Sequence, residues 1–364
     1  MLTDFTPGSM TTTKTSIVYT MGRMSEINMT ATKFKDWTLT NESSENIVTW
    51  DSRVAFHWYL SVIVNPIIGL LGIVGNSINL YVLKRNGLHK PSNVLLYGLA
   101  IADICTVATA VDVVGILSQF PMKPGISWGV LEFDCQHTQL ASFYLNFMRV
   151  MHFFGIFGAN VSPCICVLVT LERIVAVFLP LKFASIVRPK RAWALLLSVS
   201  ILWLAFTIMI ISEFRLHYEY LPDYNVCFCY YRIILSETEV EVDVVATWLA
   251  FYVSLGIIIS GSSLIYVKLK LIGIKRQKLT SSISAHSSRT TITLLTVCLV
   301  FSVTQIIRFP YAMFTLPFES STSKAMYSMF LETTSYLSSA ANFIIYVIMN
   351  KKFRIILKSL CLSN

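Results

Sequence analysis

Seven stretches of this chain are apolar for about as long as a helix must be to cross a lipid bilayer, roughly 20 residues. They are residues 56–83, 93–117, 147–178, 192–211, 244–267, 291–316 and 325–349. No alternating strand pattern runs through them, which argues against a membrane barrel. The chain is 54% hydrophobic and 13% charged, too apolar for a soluble domain. The expected fold class is an all-α integral membrane protein with seven spans.

Charge gives the expected orientation. Four candidate inner segments, at the ends of the stretches and between or after them, carry 18 of the 29 Lys and Arg. The first holds Lys84, Arg85 and Lys90, the second Arg173, Lys182, Arg188, Lys190 and Arg191. The third holds Lys268, Lys270, Lys275, Arg276, Lys278 and Arg289, the last Lys351, Lys352, Arg354 and Lys358. Of the 20 acids only Glu172 lies on that side. Positive residues stay cytoplasmic, so the N-terminus is expected outside and the C-terminus inside. A face that meets anionic lipid and cytoplasmic partners accounts for the net charge of +9 without nucleic acid. Residues 1–55 lack periodicity and read as a disordered extracellular tail, with no apolar core of a cleavable signal peptide. Asn28 and Asn41 stand in glycosylation sequons on the outer side. Residues 56–349 are then the membrane domain, and 350–364 an amphipathic helix with a short cytoplasmic tail.

Polar residues inside apolar stretches are costly, so each marks a candidate site. Asp103 is a lone carboxylate in the second stretch. Asn76 follows Gly72-Ile73-Val74-Gly75, where small residues let helices approach and an Asn can bridge them. Glu172 and Arg173 stand together at the end of the third stretch, as a charged pair should, near water or a partner. Arg308 lies in the sixth and must pair, snorkel or face water, with Asp112 and Glu332 as candidate partners. Pro310 supplies a kink usable as a pivot. Asn342 and Tyr346, four apart, share one helix face.

In order and in position, these residues resemble the rhodopsin-like G-protein-coupled receptors. Glu172-Arg173-Ile174 resembles the Asp/Glu-Arg-Tyr motif ending the family's third helix, and Pro180-Leu181 its second inner loop. Gly75-Asn76, Leu99-Ala100-Ile101-Ala102-Asp103, Trp128-Gly129 with Cys135, Trp203, Pro310 and Asn342-Phe343-Ile344-Ile345-Tyr346 resemble its other signatures. The resemblance covers about residues 56–358. It implies a seven-helix bundle in which an extracellular ligand favours one of two helix arrangements. It implies activation of a heterotrimeric G protein: the sixth helix swings about Pro310, and Arg173 leaves Glu172. With Tyr266 and Tyr346, Arg173 then shapes an inner cleft. Asp103, Ser162 and Asn76 are implied to form a polar core holding an allosteric sodium ion, the one cofactor suggested. The alternative is a neutral structural Asp hydrogen-bonded to Asn76, since a hard cation needs about six oxygens. A disulfide from Cys135 to Cys227 or Cys229 is implied on the oxidising outer face. The basic and apolar run from Lys351 reads as an interfacial helix, with Cys361 a palmitoylation candidate.

There are departures. Ile174, Arg308 and Phe343 replace the family's Tyr, Trp and Pro, and the fifth stretch lacks a mid-helix Pro. Gly155 stands where amine receptors carry Asp, which argues against that subclass, and Tyr336 where opsins carry their lysine. Cys135 lies 38 residues before Arg173, longer than the family spacing by roughly three helical turns. Either the third helix projects outward or an insertion follows Cys135. The second outer loop, 212–243, mixes acids with tyrosines and suits a basic peptide or a cationic small molecule. Asp112, Arg149, His152, Arg308 and Glu332 are candidate pocket residues. The chain looks most like invertebrate neuropeptide receptors and gastropod-type chemosensory receptors. A neuropeptide is the favoured ligand, and a small water-borne molecule the alternative. Expected partners are that ligand, a G protein, membrane lipid and arrestin. A transporter or channel would often show internal repeats, and none is found. No His-Glu-x-x-His, Gly-x-Ser-x-Gly or phosphate loop suggests an enzyme.

Overall fold

The computed structural model describes residues 56, 59–111, 130–133, 138–221, 226–233, 242, 245–246, 248–277, 285–313, 321–349 and 351–362, with the side chains of the sheet and some helix ends set aside. Its long helices are α1 (Asn65–Asn86), α2 (Pro91–Ala108), α3 (Thr138–Phe178), α4 (Pro189–Ser212), α5 (Ser254–Gln277), α6 (Ala285–Met313) and α7 (Ser321–Met349). A shorter α8 (Lys351–Leu362) follows. A proline opens α2 and α4, where its missing N–H would have had no helical partner anyway; Pro66 of α1 follows directly on helical backbone instead. π-helical turns at Tyr59–Val64 and Trp248–Val253 lead into α1 and α5. The Ser254 hydroxyl closes the second by donating to the Leu249 carbonyl at 3.1 Å.

Chain reversals are tied down by side chains. Gly87 ends α1 at φ 86°, a backbone shape that glycine adopts without a Cβ clash. The Asn93 amide donates to the Gly87 carbonyl at 2.7 Å and joins α1 to α2. Arg354 of α8 donates to the Val347 carbonyl at 3.1 Å and also to Ile348. A cation thus meets the open carbonyls that end α7.

α3 is the central helix and packs against α2, α4, α5 and α6, while α7 packs against α1, α2 and α6. Gly158 brings α3 onto the α2 backbone: a Cβ there would lie 2.4 Å from the Ala102 carbonyl oxygen. Gly261 does the same between α5 and α3, where Ile174 and Thr170 press against it. α4 is peripheral. Only 17% of its apolar window is buried inside the protein, against 56% for α2, so most of α4 is left to face lipid.

The helical bundle expected from the sequence is present, and a small sheet accompanies it. Strands β1 (Val130–Phe133), β2 (Phe214–Leu221) and β3 (Val226–Ile233) form an antiparallel sheet in the order β1-β3-β2. Val130 pairs with Tyr230 and Phe133 with Cys227, while Phe214 pairs with Ile233 and Leu221 with Val226. The aromatic and β-branched residues of β3 favour this state. The spacing between Cys135 and Arg173 is also resolved. α3 starts at Thr138, so the helix itself projects, its 41 residues reaching about 61 Å.

Candidate functional site

Two polar clusters lie along α3. The first surrounds Asp103, which is 2% exposed. The Ser162 hydroxyl donates to Asp103 Oδ1 at 3.1 Å, and the Asn342 amide donates to Oδ2 at 2.6 Å. One carboxylate therefore joins α2, α3 and α7. A cavity of about 20 Å³ adjoins it, its wall including Asp103, Ser162, Gln305, Ser338, Ser339 and Asn342. That is room for a water-sized particle. Asn76 stands beside this cluster and not in it. Its amide donates to the carbonyls of Gly72 and Ser339, each at 3.0 Å, and Asn79 donates to its oxygen at 3.1 Å. The alternative of Asp103 bonded to Asn76 is thus replaced by Asp103 bonded to Ser162 and Asn342.

The donor set fits a hard monovalent cation. The cavity offers a carboxylate, serine hydroxyls and amide oxygens, and among them Gln305 Oε1 is buried with no hydrogen-bond partner. Oxygen ligands and one negative charge suit sodium better than a soft or divalent metal.

The second cluster lies near the other end of α3. Arg173 Nη2 meets Glu172 Oε1 at 2.8 Å. Ser92, at the start of α2, donates to the same oxygen at 2.9 Å and accepts from Arg173 Nη2. Both charged residues are buried, at 5% and 9% exposure. Glu172 Oε2 and Arg173 Nε have no hydrogen-bond partner. Tyr346 is close-packed at this end of α7, stacked on Phe353 of α8 with ring centroids 6.0 Å apart. Its buried hydroxyl is without a hydrogen-bond partner. Tyr266 is not brought to this cluster. It is 63% exposed, whereas its neighbour Ile265 is fully buried. The helical phase of α5 aims Ile258, Gly261 and Ile265 inward and turns Tyr266 to the outside.

The candidate pocket residues divide. The Arg149 guanidinium donates to the Ile211 carbonyl at 2.8 Å, so in this arrangement it serves the C-terminal end of α4. Glu332 accepts from the Tyr336 hydroxyl, which also bonds Thr109, just past the end of α2, at 3.0 Å. His152 is half-buried on α3. The backbones of Arg308 and Pro310 lie within α6, and their side chains fall outside the described residues, as does that of Cys361 on α8. Asp112, Cys135, Asn28 and Asn41 also lie outside them. Cys227 and Cys229 sit on β3, and their side chains fall outside the described ones.

Residues 75–346 match the family described as 7 transmembrane receptor (rhodopsin family). The chain belongs to that family. The receptor is 27% identical to the FMRFamide receptor of Drosophila melanogaster over 334 residues, 88% of this chain and 56% of that protein. It is 29% identical to the Allatostatin-A receptor of Bombyx mori over 142 residues, 37% of this chain and 32% of that one. The receptor thus spans little more than half the length of the first relative and about a third of the second. Its unusual Phe343 has a packing role. A Cβ at Gly75 would lie 2.7 Å from Phe343 Cβ, and the Phe343 ring meets Phe353 at 6.1 Å. The residue that replaces the family's proline wedges α7 between α1 and α8.

Four participants were not singled out from the sequence: Ser92, Gln305, Ser338 and Ser339. Ser335, Ser338, Ser339 and Asn342 recur at helical spacing, a pattern that marks one face of α7. Ser92 follows a helix-opening Pro91, which places it in the first turn but names no partner.

Proposed function

We propose that this receptor binds an extracellular neuropeptide and activates a heterotrimeric G protein, from the plasma membrane, with its N-terminus outside. The observation that carries the reading is that one helix, α3, bears both polar clusters: Ser162 meets Asp103, and Glu172-Arg173 meets Ser92. A ligand acting at the sheet end has a continuous rigid element leading to the Arg173 end. The arrangement described is read as the resting one, because Arg173 is engaged by Glu172 and Ser92. An agonist shifts the population only by binding the other arrangement more tightly. In that state Arg173 is released, and Tyr346 and Tyr266 turn toward it to frame the cleft for the G protein and, after phosphorylation, arrestin. Asp103, Ser162, Asn342 and the cavity oxygens would hold a sodium ion, whose positive charge would favour the resting state.

The names of the two relatives, both receptors for peptides, support a neuropeptide ligand. The acids and tyrosines of residues 212–243 support a basic one. Cys227, opposite Phe133 in the sheet, is the favoured disulfide partner for Cys135. Glycans at Asn28 and Asn41 and a palmitate at Cys361 complete the proposal, the last holding the amphipathic α8 on lipid. The test is nucleotide exchange on purified G proteins in membranes carrying the receptor, challenged with a library of short amidated peptides and one of small odorants. Saturable stimulation by a peptide supports the reading. Stimulation by odorants alone replaces the ligand class, and ion or substrate flux without exchange overturns the reading.

A further inference from the structure

The cavity beside Asp103 contains a polar atom that the helices themselves do not use. Gln305 of α6 is 6% exposed and lines the cavity. Its Oε1 is buried with no hydrogen-bond partner. Such an orphaned acceptor is costly, and native proteins satisfy it with water, an ion or a ligand. The surroundings favour an ion. Among the described residues of the wall Asp103 contributes the only carboxylate, and Ser335, Ser338 and Ser339 offer hydroxyls from α7. On α3, Pro163 lies within the helix and has no N–H to give the carbonyl four residues back. That carbonyl belongs to Ala159, which also lines the cavity.

The geometry points to Gln305 as the ligand through which α6 joins the cation site, its amide oxygen sharing one sodium ion with Asp103, Ser162 and Asn342. This rests on the sodium reading proposed above and adds to it a link that the hydrogen bonds to Asp103 do not make. Asp103 binds α3 and α7 directly. α6 meets α7 nearby through Thr304, which donates to the Ser338 hydroxyl at 3.1 Å, but among the described residues no hydrogen bond joins α6 to the carboxylate. A shared ion makes that connection. Movement of α6 and loss of the ion then oppose each other reciprocally, as linked equilibria must.

The test needs no agonist. Full-length receptor in lipid nanodiscs is melted while sodium chloride replaces choline chloride at constant ionic strength. The expected result is a saturable rise in the Tm of the wild type and no rise in Asp103→Asn. Gln305→Leu should need about tenfold more sodium for half-saturation. Gln305→Asn, which keeps the amide but shortens it, should fall between. Gln305→Glu, which adds charge, should need less sodium than the wild type. If Gln305→Leu does not fold, the Asn and Glu variants carry the comparison in opposite directions. A wild type indifferent to sodium overturns the cation reading and this assignment together. A sodium response lost in Asp103→Asn but identical in every Gln305 variant overturns the assignment alone, and leaves Gln305 Oε1 to a water molecule.

Discussion

The two polar clusters of α3 are built in opposite ways. The one at Asp103 joins residues 59 and 239 positions apart in the chain, so three helices must be in register before it forms. The one at Arg173 joins two adjacent residues and adds a single serine 80 positions away. The first closes on a carboxylate whose two oxygens both accept. The second leaves Glu172 Oε2 and Arg173 Nε buried without hydrogen-bond partners. Long-range closure makes a structural hub. Local closure with unused donors and acceptors makes a contact that can be exchanged for another without dismantling the bundle.

That contrast can be broken at the hub first. Gly158→Ala places a methyl group 2.4 Å from the Ala102 carbonyl oxygen and forces α2 from α3. The expected loss of stability is about 1–3 kcal/mol or more, read as a fall in Tm and in folded yield. Gly256→Ala on the exposed face of α5, with nothing within 4 Å of its Cβ, is the control and should melt like the wild type. Next, Asn342→Leu removes the donor to Asp103 Oδ2 and should cost about 1–3 kcal/mol, again measured by thermal melting.

The exchangeable contact should respond differently, in activity more than in stability. Glu172→Gln removes the charge that holds Arg173. Basal nucleotide exchange should rise about tenfold, corresponding to about 1.4 kcal/mol, with Tm little changed. Ser92→Ala leaves the 2.8 Å ion pair of Glu172 and Arg173 in place. The serine's hydrogen bonds to both charged groups are lost, but the ion pair itself stays closed, so a rise smaller than that of Glu172→Gln, about two- to fivefold, is expected. The smallest effect on stability belongs to Tyr346→Phe. The hydroxyl it removes has no hydrogen-bond partner, so Tm should hold or increase, while the agonist-stimulated response falls. If Glu172→Gln unfolded the receptor as Gly158→Ala does, the distinction between hub and exchangeable contact would be lost.

Legibility in the sequence follows the same physics. Asp103, Glu172, Arg173 and Asn342 stand out because ionised and amide groups cannot be hidden in an apolar helix without a partner. Hydroxyls can. Thr106, Thr170 and Ser302 each donate to the carbonyl four residues back, at 3.0, 2.8 and 2.8 Å. A serine in a span therefore need not seek another helix, and Ser338 and Ser339 look no different on paper. Tyr266 faces outward in this arrangement, and α5, apolar on nearly every side, gives little phase information from which the sequence could show that. β1 is hidden in the sequence because it pairs with β3 almost 100 residues later, whereas β2 and β3 are neighbours in the chain and the aromatic and β-branched residues of β3 are a local strand signal.

The length of α3 has a mechanical consequence. About half of its 61 Å exceeds the roughly 30 Å of hydrocarbon in a bilayer. The surplus stands as a mast, with the sheet near its top and Arg173 near its foot. A tilt of only about 5° would carry the tip sideways by about 5 Å over such a lever. Under the proposed function, a small force at the sheet end would thereby be geared into torque at the Arg173 end, with no large cavity collapse required.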